Sequence, residues 1–222
     1  MEEKVVKSLA LCPLFAGIEH EEIGRLMAAV DHRLVDYDKQ DVYALAGMPC
    51  RHADIIISGV LVCRMSALSG KQVEVSRLRP GNLVAPAFIF AKDRSMPVSV
   101  ETESKVMVLR MRPEVLKRLI DDDERIRMNY IRVLCNINVF LTHKMKVLSL
   151  YTVREKVAYL LLEQAGEQNS NSVHLHRSRQ EIADSFGIRK FSLLRVLSDF
   201  QEQGAIRIDG REIEILDRSK LK

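Results

Sequence analysis

One short stretch near the C-terminal end of the sequence carries basic and polar side chains at the spacing of a single helix face. From Arg189 to about Gln203 the apolar residues recur every three or four positions, which predicts a helix. Such a helix fits the major groove of DNA, where basic and polar side chains meet base edges and phosphates. We expect these contacts from the outer face of the helix, which carries Arg189, Lys190, Ser192 and Arg195.

A second helix and a hairpin must hold that face in position. Ser178 and Glu181 have the spacing of a capping box, which predicts the start of a helix that ends at Gly187. Residues 205–208 and 211–215 predict two strands joined by an Asp-Gly turn. Two capped helices followed by a hairpin are typical of a winged helix-turn-helix. The alternative is a pair of capped helices in an ordinary α+β domain.

The first half of the chain has a different apolar period. From about residue 30 to residue 111, short β-branched or alternating runs predict strands near 54–58, 60–64, 72–78, 97–101 and 105–109. Ser58-Gly59, Ser69-Gly70 and Pro80-Gly81 supply turn signals between them. Many short strands with frequent turns are typical of an antiparallel barrel or roll.

Between these two regions the sequence predicts one long helix, from about residue 122 to residue 149, without Gly or Pro. Its apolar positions step by threes and fours, and a helix of that length is longer than a small domain needs. The pattern favours a helix that pairs two subunits, and the alternative is a helix buried against its own barrel. The predicted seam comprises Ile126, Tyr130, Val133, Ile137, Leu141 (or Phe140), Lys144 and Leu148.

Composition excludes several classes of protein. The formal net charge is only +4, and residues 174–200 hold five Lys and Arg against three acids, so a basic coat for DNA is absent. No apolar run approaches the ~18–20 residues that span a bilayer, and no secretory signal is recognisable, so we expect a cytoplasmic protein without a membrane partner. The four cysteines lack metal-binding spacing, which predicts no metal site and mostly buried thiols. A redox-sensing role stays open for Cys12 or Cys50.

The order of barrel, long helix and winged helix-turn-helix resembles the bacterial regulators of the cAMP receptor protein and fumarate–nitrate regulator (Crp/Fnr) superfamily. The resemblance is strongest at residues 179–183 and 187–195. It implies an α+β fold with a cyclic-nucleotide-binding-like β-roll (an antiparallel double-stranded β-helix) at 1–120, a dimerisation helix at 121–150 and a winged helix-turn-helix at 151–222. It also implies a homodimeric transcription regulator with DNA and RNA polymerase as partners. Arg195 would read a guanine, and Arg179 and Gln180 would approach the DNA backbone or nearby bases.

The sequence departs from that family at both ends. The family often has Arg-Glu where this chain has Lys190-Phe191, and because Phe191 cannot accept a hydrogen bond from cytosine, a different half-site is expected. In the barrel, Ala85-Pro86 stands where cyclic-nucleotide binders have Gly-Glu, which argues against cyclic AMP. Arg94 and Ser95 match the family's phosphate-binding pair but come two residues early, and they are the expected effector-binding residues; the alternative for Arg94 is a solvated loop arginine. Its identity stays open, with haem as one alternative, although no axial ligand can be named.

The residues give less support to two other functions. An enzyme on a small barrel would need clustered His and Glu on facing strands, whereas the strands here offer His52 before Asp54 and no catalytic motif. We therefore expect no enzymatic activity. The second rival is a nucleotide- or haem-sensing module that acts through a protein partner rather than DNA.

Overall fold

The computed structural model describes residues 2–66 and 72–221, so the predicted turn at Ser69-Gly70 lies outside the described residues. The chain divides into two compact units. The first comprises Met1–Ser66 and Val75–Phe140, and the second comprises Ala67–Glu74 and Leu141–Lys222. The three predicted domain ranges stay a prediction, since the long helix contributes residues to both units.

The first unit begins with two short helices and continues as a roll of short strands. Helices α1 (Glu3–Ala10) and α2 (His20–Ala28) precede seven strands, a one-turn helix and helix α4. The strands are β1 (Arg33–Tyr37), β2 (Val42–Ala44), β3 (Ala53–Ser58), β4 (Leu61–Ser66), β5 (Gln72–Leu78), β6 (Ser99–Thr102) and β7 (Val106–Met111), with α3 (Pro86–Ile89) between β5 and β6 and α4 (Pro113–Asp122) after β7.

Two sheets build the roll among residues 2–66 and 72–111. Their strand orders are β1-β7-β3 and β2-β6-β4-β5. In the first sheet Arg110 lies opposite Arg33 on one side and opposite Asp54 on the other. The turn between β3 and β4 requires Gly59, because its φ is +84° and a Cβ there would lie 2.2 Å from the Lys105 carbonyl oxygen. The fold class predicted from the sequence is confirmed, and β6 starts two residues later than predicted, beyond Pro97, which has no N–H for the ladder.

Helix α5 (Glu124–Leu150) is the predicted long helix. Asp123 caps it, since its carboxylate accepts from the backbone N–H groups of Arg125 and Ile126. Ile126 and Tyr130 are buried in the core of the first unit. Both were predicted to face a second subunit, and that part of the seam is wrong because the helix packs this face on its own roll. No helix in the described part of the chain has the length and apolar character needed to cross a membrane.

The second unit contains the end of α5 and a small three-helix, three-strand domain. Its elements are α6 (Val153–Glu167), β8 (Ser172–His174), α7 (Arg179–Ser185), α8 (Lys190–Glu202), β9 (Ile206–Asp209) and β10 (Glu212–Ile215). The sheet order is β8-β10-β9, so the predicted hairpin pairs as expected and β8 joins its free edge. Leu161, Ile182, Leu193, Phe200 and Ile213 share the core.

Candidate nucleic-acid interface and effector region

Local signals start and orient α7. The Ser178 side chain accepts from the Glu181 N–H, and the Glu181 carboxylate accepts from the Ser178 N–H, which completes the predicted capping box. Ala183 is fully buried, as a small residue must be where two helices cross closely. Gly187 has a φ of +60°, so the turn uses a backbone conformation that favours glycine. Together these residues determine the angle at which α8 leaves the turn.

Helix α8 divides into a buried and an exposed face. Leu193, Val196, Leu197 and Phe200 pack in the core of the unit. On the other side Arg189, Lys190 and Arg195 are exposed, and none of the three has a side-chain partner among the described residues. Ser192 is half-buried beside them. An exposed helix face with unpaired cations is suited to phosphates and to guanine edges.

The two predicted residues on α7 are held by bonds within the protein. The Arg179 Nη2 donates to the Gly210 carbonyl at 3.1 Å, and the Gln180 Nε2 donates to Asp184 Oδ1 at 2.8 Å. Burial, followed by the nearby Arg211 charge, lowers the pKa of Arg179. Arg179 therefore ties α7 to the hairpin turn, in addition to any contact with DNA.

Two further residues extend this surface beyond those predicted. Phe191 is 76% exposed on α8, next to Lys190, although an aromatic ring of that size normally packs inside a protein. Arg211 is exposed at the tip of the hairpin and close enough to Arg179 to affect its pKa. The Asp209-Gly210 turn in the sequence was the available signal for Arg211.

The predicted effector residues in the roll do not form a cradle. Arg94 is exposed, and its side chain has no partner in the described part of the chain, while its backbone carbonyl accepts from the Cys50 N–H at 2.7 Å. Ser95 N donates to Asp93 Oδ1, which closes a local turn. Pro86, at the position of the missing acid, is buried, and its carbonyl accepts from the Tyr130 hydroxyl at 2.7 Å. The geometry lends Arg94 and Ser95 no further support as effector ligands.

The described side chains give no support to a redox-sensing cysteine at Cys12 or Cys50 or to a metal site. Cys12, Cys50 and Cys63 are buried, whereas Cys135 is exposed. Burial raises the pKa of Cys12 to about 12 and also raises that of Cys50, so both thiols are poor nucleophiles for a redox switch. Among residues 2–66 and 72–221 there is no group of three or more His, Cys, Asp and Glu side chains that could hold a metal ion.

Comparison with known proteins decides the family. The family model described as the Crp-like helix-turn-helix domain matches residues 155–222, and the cyclic nucleotide-binding domain model matches residues 34–123. The chain belongs to the Crp/Fnr family. As a Crp/Fnr protein with this domain pair it is a DNA-binding transcription regulator, which confirms the function expected from the sequence.

Relatives of this Crp/Fnr regulator cover nearly its whole length. It is 25% identical over 218 residues to the CRP-like cAMP-activated global transcriptional regulator of Mycobacterium tuberculosis (strain ATCC 25618 / H37Rv), with 96% of each chain covered. It is 28% identical over 177 residues to the nitrogen fixation regulation protein FixK of Azorhizobium caulinodans, covering 76% of this chain and 69% of FixK. Both relatives are regulatory proteins.

Solved structures agree on the fold of this Crp/Fnr regulator. The c-di-GMP responsive regulator CLP of Xanthomonas campestris superposes with a TM-score of 0.73 at 19% identity, covering 89% of this chain and 99% of CLP. FixK2 of Bradyrhizobium japonicum superposes with a TM-score of 0.68 at 19% identity, covering 86% of this chain and 96% of FixK2. At that identity the likeness concerns the fold alone.

Proposed function

We propose that this regulator binds a near-palindromic DNA site as a homodimer, with one α8 helix in each half-site, under the control of an effector bound in the first unit. The observation that carries the proposal is the exposed face of α8, on which Arg189, Lys190 and Arg195 lack partners among the described residues. RNA polymerase is the further partner that we propose for the DNA-bound dimer.

The free face of α5 supports the dimer. Three of its apolar side chains are exposed by 46% (Ile131), 45% (Leu141) and 63% (Met145). With Leu134, Asn138 and Leu148 they form a heptad pattern, in which Ile131, Asn138 and Met145 take the a positions and all three d positions are leucine. This set is called the α5 seam below. Ile131, Asn138, Leu141 and Met145 are exposed and available to a second copy, whereas Leu134 also packs partly against the core of the first unit.

The polar member of the α5 seam favours a specific pairing. Asn138 is exposed at the central a position. In two-stranded parallel coiled coils a single asparagine at an a position pairs with its counterpart and thereby specifies register and oligomeric state, at a cost in stability. A parallel, in-register pair of helices generates a two-fold axis. The two α8 helices would then enter major grooves about 34 Å apart, one DNA turn from each other.

The residues on α8 divide into two roles. We assign Arg195 to a guanine edge, to which a guanidinium can donate two hydrogen bonds, and Arg189 and Lys190 to phosphates. Gln180, Ser192 and Arg179 complete the predicted contact set, Arg179 partly through its bond to the hairpin. Because the cations are few and local, affinity should fall only modestly with salt concentration.

Selection of bound sequences from a random DNA pool, followed by fluorescence anisotropy, tests the proposal. We expect a two-fold-related consensus with half-sites separated by one DNA turn. Arg195→Ala should weaken binding by about 1–3 kcal/mol per half-site and relax the preference at one base pair. Arg118→Ala removes the same charge from an exposed position on α4 and should leave the affinity unchanged.

Two results would contradict the proposal. If Arg195→Ala keeps the wild-type affinity and base preference, α8 is not the helix that recognises the bases. If the consensus DNA sequence lacks two-fold symmetry, the protein does not bind DNA as the proposed homodimer.

A further inference from the structure

A cavity of about 270 Å³ lies in the first unit, beside the β1-β7-β3 sheet. Its lining combines two aromatic rings, two thioethers and two guanidinium groups, supplied by Tyr37, Tyr43, Met48, Met96, Arg51 and Arg110. Neither Arg94 nor Ser95 belongs to the lining. A small apolar pocket with a few convergent polar groups is the usual form of a small-molecule site.

The guanidinium of Arg110 is held rigidly in the wall of this cavity. Asp54 is fully buried and accepts from Arg110 Nε at 3.0 Å and from Nη2 at 2.6 Å. The hydroxyl of Tyr37 also accepts from Nη2, at 2.8 Å, and the hydroxyl of Tyr43 donates to Asp54 at 2.7 Å. Nη1 has no partner among the described residues. Arg110 therefore offers a fixed donor that a ligand can use without reordering the side chain.

The charges around the cavity favour an anion. Arg33 lies directly opposite Arg110 in the sheet, and Arg51 lines the cavity itself. Asp54 offsets the charge of Arg110, so Arg51 supplies the excess positive charge among the charged residues of the lining. The pKa of His52 is lowered, first by burial and then by Arg110, and the opposing effect of Asp54 does not cancel these contributions. Among the charge effects on His52, that of Arg110 is larger than that of Asp54, so the electrostatic potential at this position is positive.

The rest of the lining favours a flat apolar body. The rings of Tyr37 and Tyr43 are tilted by 53° with centroids 5.3 Å apart. An aromatic ligand can add an edge-to-face contact to such a pair. The thioether sulfurs of Met48 and Met96 are polarisable and make favourable contacts with ring edges. The volume lies just under the range of about 300–1,000 Å³ for drug-sized ligands, which indicates a small molecule.

We propose that this cavity binds a small aromatic carboxylate, with the carboxylate accepting from Arg110 Nη1 and the ring between the tyrosines and the methionines. The proposal that such a molecule is the effector rests on the proposed function; binding to the cavity does not. Ala85, Pro86, Arg94 and Ser95, which the family resemblance identified, do not line the cavity, although their neighbours Val84 and Met96 do.

Three matched probes test the chemistry by isothermal titration calorimetry on the full chain. Benzoate has both features, benzamide lacks the charge and cyclohexanecarboxylate lacks the aromatic ring. We expect benzamide to bind about 10-fold or more weaker, because charge-assisted hydrogen bonds are roughly twice as strong as neutral ones. We expect cyclohexanecarboxylate to bind about 2–10-fold weaker, the usual gain from an aromatic pair.

A pair of variants tests the location. Met48→Trp puts a bulky ring into the cavity lining, and Met65→Trp makes the same change on β4, outside the lining. Both methionines are 50% exposed, so neither change disturbs the core. Benzoate should raise the thermal midpoint of the wild-type and Met65→Trp proteins by an amount that grows with the logarithm of its concentration above the dissociation constant, and Met48→Trp should abolish the rise.

Each contrary result overturns the inference. The first is that benzoate does not bind at concentrations up to about 10 mM, which would make any dissociation constant too weak for a specific site. The second is that benzamide or cyclohexanecarboxylate binds as tightly as benzoate. The third is that Met48→Trp retains the wild-type response to benzoate. DNA binding by the same preparations without benzoate separates the two proposals. If the protein binds its DNA site as a dimer but not benzoate, only the cavity proposal fails.

Discussion

Truncation of one leucine on α5 should weaken the homodimer by a predictable amount. Leu141 is 45% exposed at a d position of the α5 seam. Full burial of a leucine side chain is worth about 1.5–3 kcal/mol, so burying this exposed part against a partner contributes about 0.7–1.4 kcal/mol per subunit. A symmetric dimer contains the contact twice, and Leu141→Ala should therefore cost roughly 1.4–2.7 kcal/mol. That corresponds to a dimer dissociation constant about 10–100-fold higher.

The neighbouring residue provides a control of almost equal exposure. Phe140 is 46% exposed on the same helix, but it takes a c position and points away from the α5 seam. Phe140→Ala should leave the dissociation constant within about threefold, as surface substitutions usually do. Sedimentation equilibrium of the three proteins measures the constants directly.

DNA binding provides a second measurement of the same contact. Leu141→Ala should weaken binding to the full two-fold site at low protein concentration and leave binding to an isolated half-site unchanged, because only the full site requires both subunits. The reasoning is refuted if the dissociation constant of Leu141→Ala stays within about threefold of wild type, or if Phe140→Ala weakens the dimer equally.

Three further predictions concern base readout, the ion pair and a helix cap. Phe191→Ala should reduce affinity for the selected DNA site, because the ring would contact the methyl group of a thymine. Replacing that thymine by uracil should therefore weaken DNA binding by the wild-type protein but not by the variant. Equal effects on the two proteins would contradict this contact. Asp54→Ala should lower the unfolding free energy by about 3–5 kcal/mol in chemical denaturation, because it leaves the Arg110 charge without its partner, whereas the exposed Asp36→Ala on β1 should stay within about 0.5 kcal/mol. The Glu155 carboxylate accepts from the Thr152 N–H, which, with the Thr152 hydroxyl, lowers its pKa below the usual 4.5. The pKa of Glu155 is lower in the folded protein than in the unfolded chain, so the ionised carboxylate stabilises α6 fully above the unfolded pKa, and this stabilisation is lost as pH falls through the folded pKa. An NMR titration that places the pKa of Glu155 at or above 4.5 would disprove the cap.

The winged helix-turn-helix is the part of the molecule that the sequence predicted best. The predicted helix from Arg189 to about Gln203 is observed at Lys190–Glu202, and the predicted capping box of Ser178 and Glu181 is present. These signals depend on residues three or four positions apart, and such contacts form in any helix that begins there. The exposed cations of α8 follow from the same periodicity, because the apolar face must turn inward.

The sequence of the long helix did not show which of its faces packs on the roll. Apolar residues occupy most of its circumference, so a face for the roll and a face for a partner were both compatible with the pattern. Packing on the roll takes Ile126, Tyr130 and part of Leu134, while Ile131, one residue beyond Tyr130, stays exposed. Only the three-dimensional contact with the roll resolves this choice.

By itself the sequence determined the order of the elements, the family and the outward face of α8, because helix periodicity, caps and turns are contacts between near neighbours in the chain. Tertiary structure alone decided which groups meet across long separations. Asp54 and Arg110 are 56 positions apart, and the Arg179–Gly210 bond spans 31. Strand register brings the first pair together and helix docking the second, and neither leaves a local pattern that spacing can show. The cavity beside Arg110 therefore exists only in the folded chain, whereas the prediction of Arg94 and Ser95 depends on their order in the sequence.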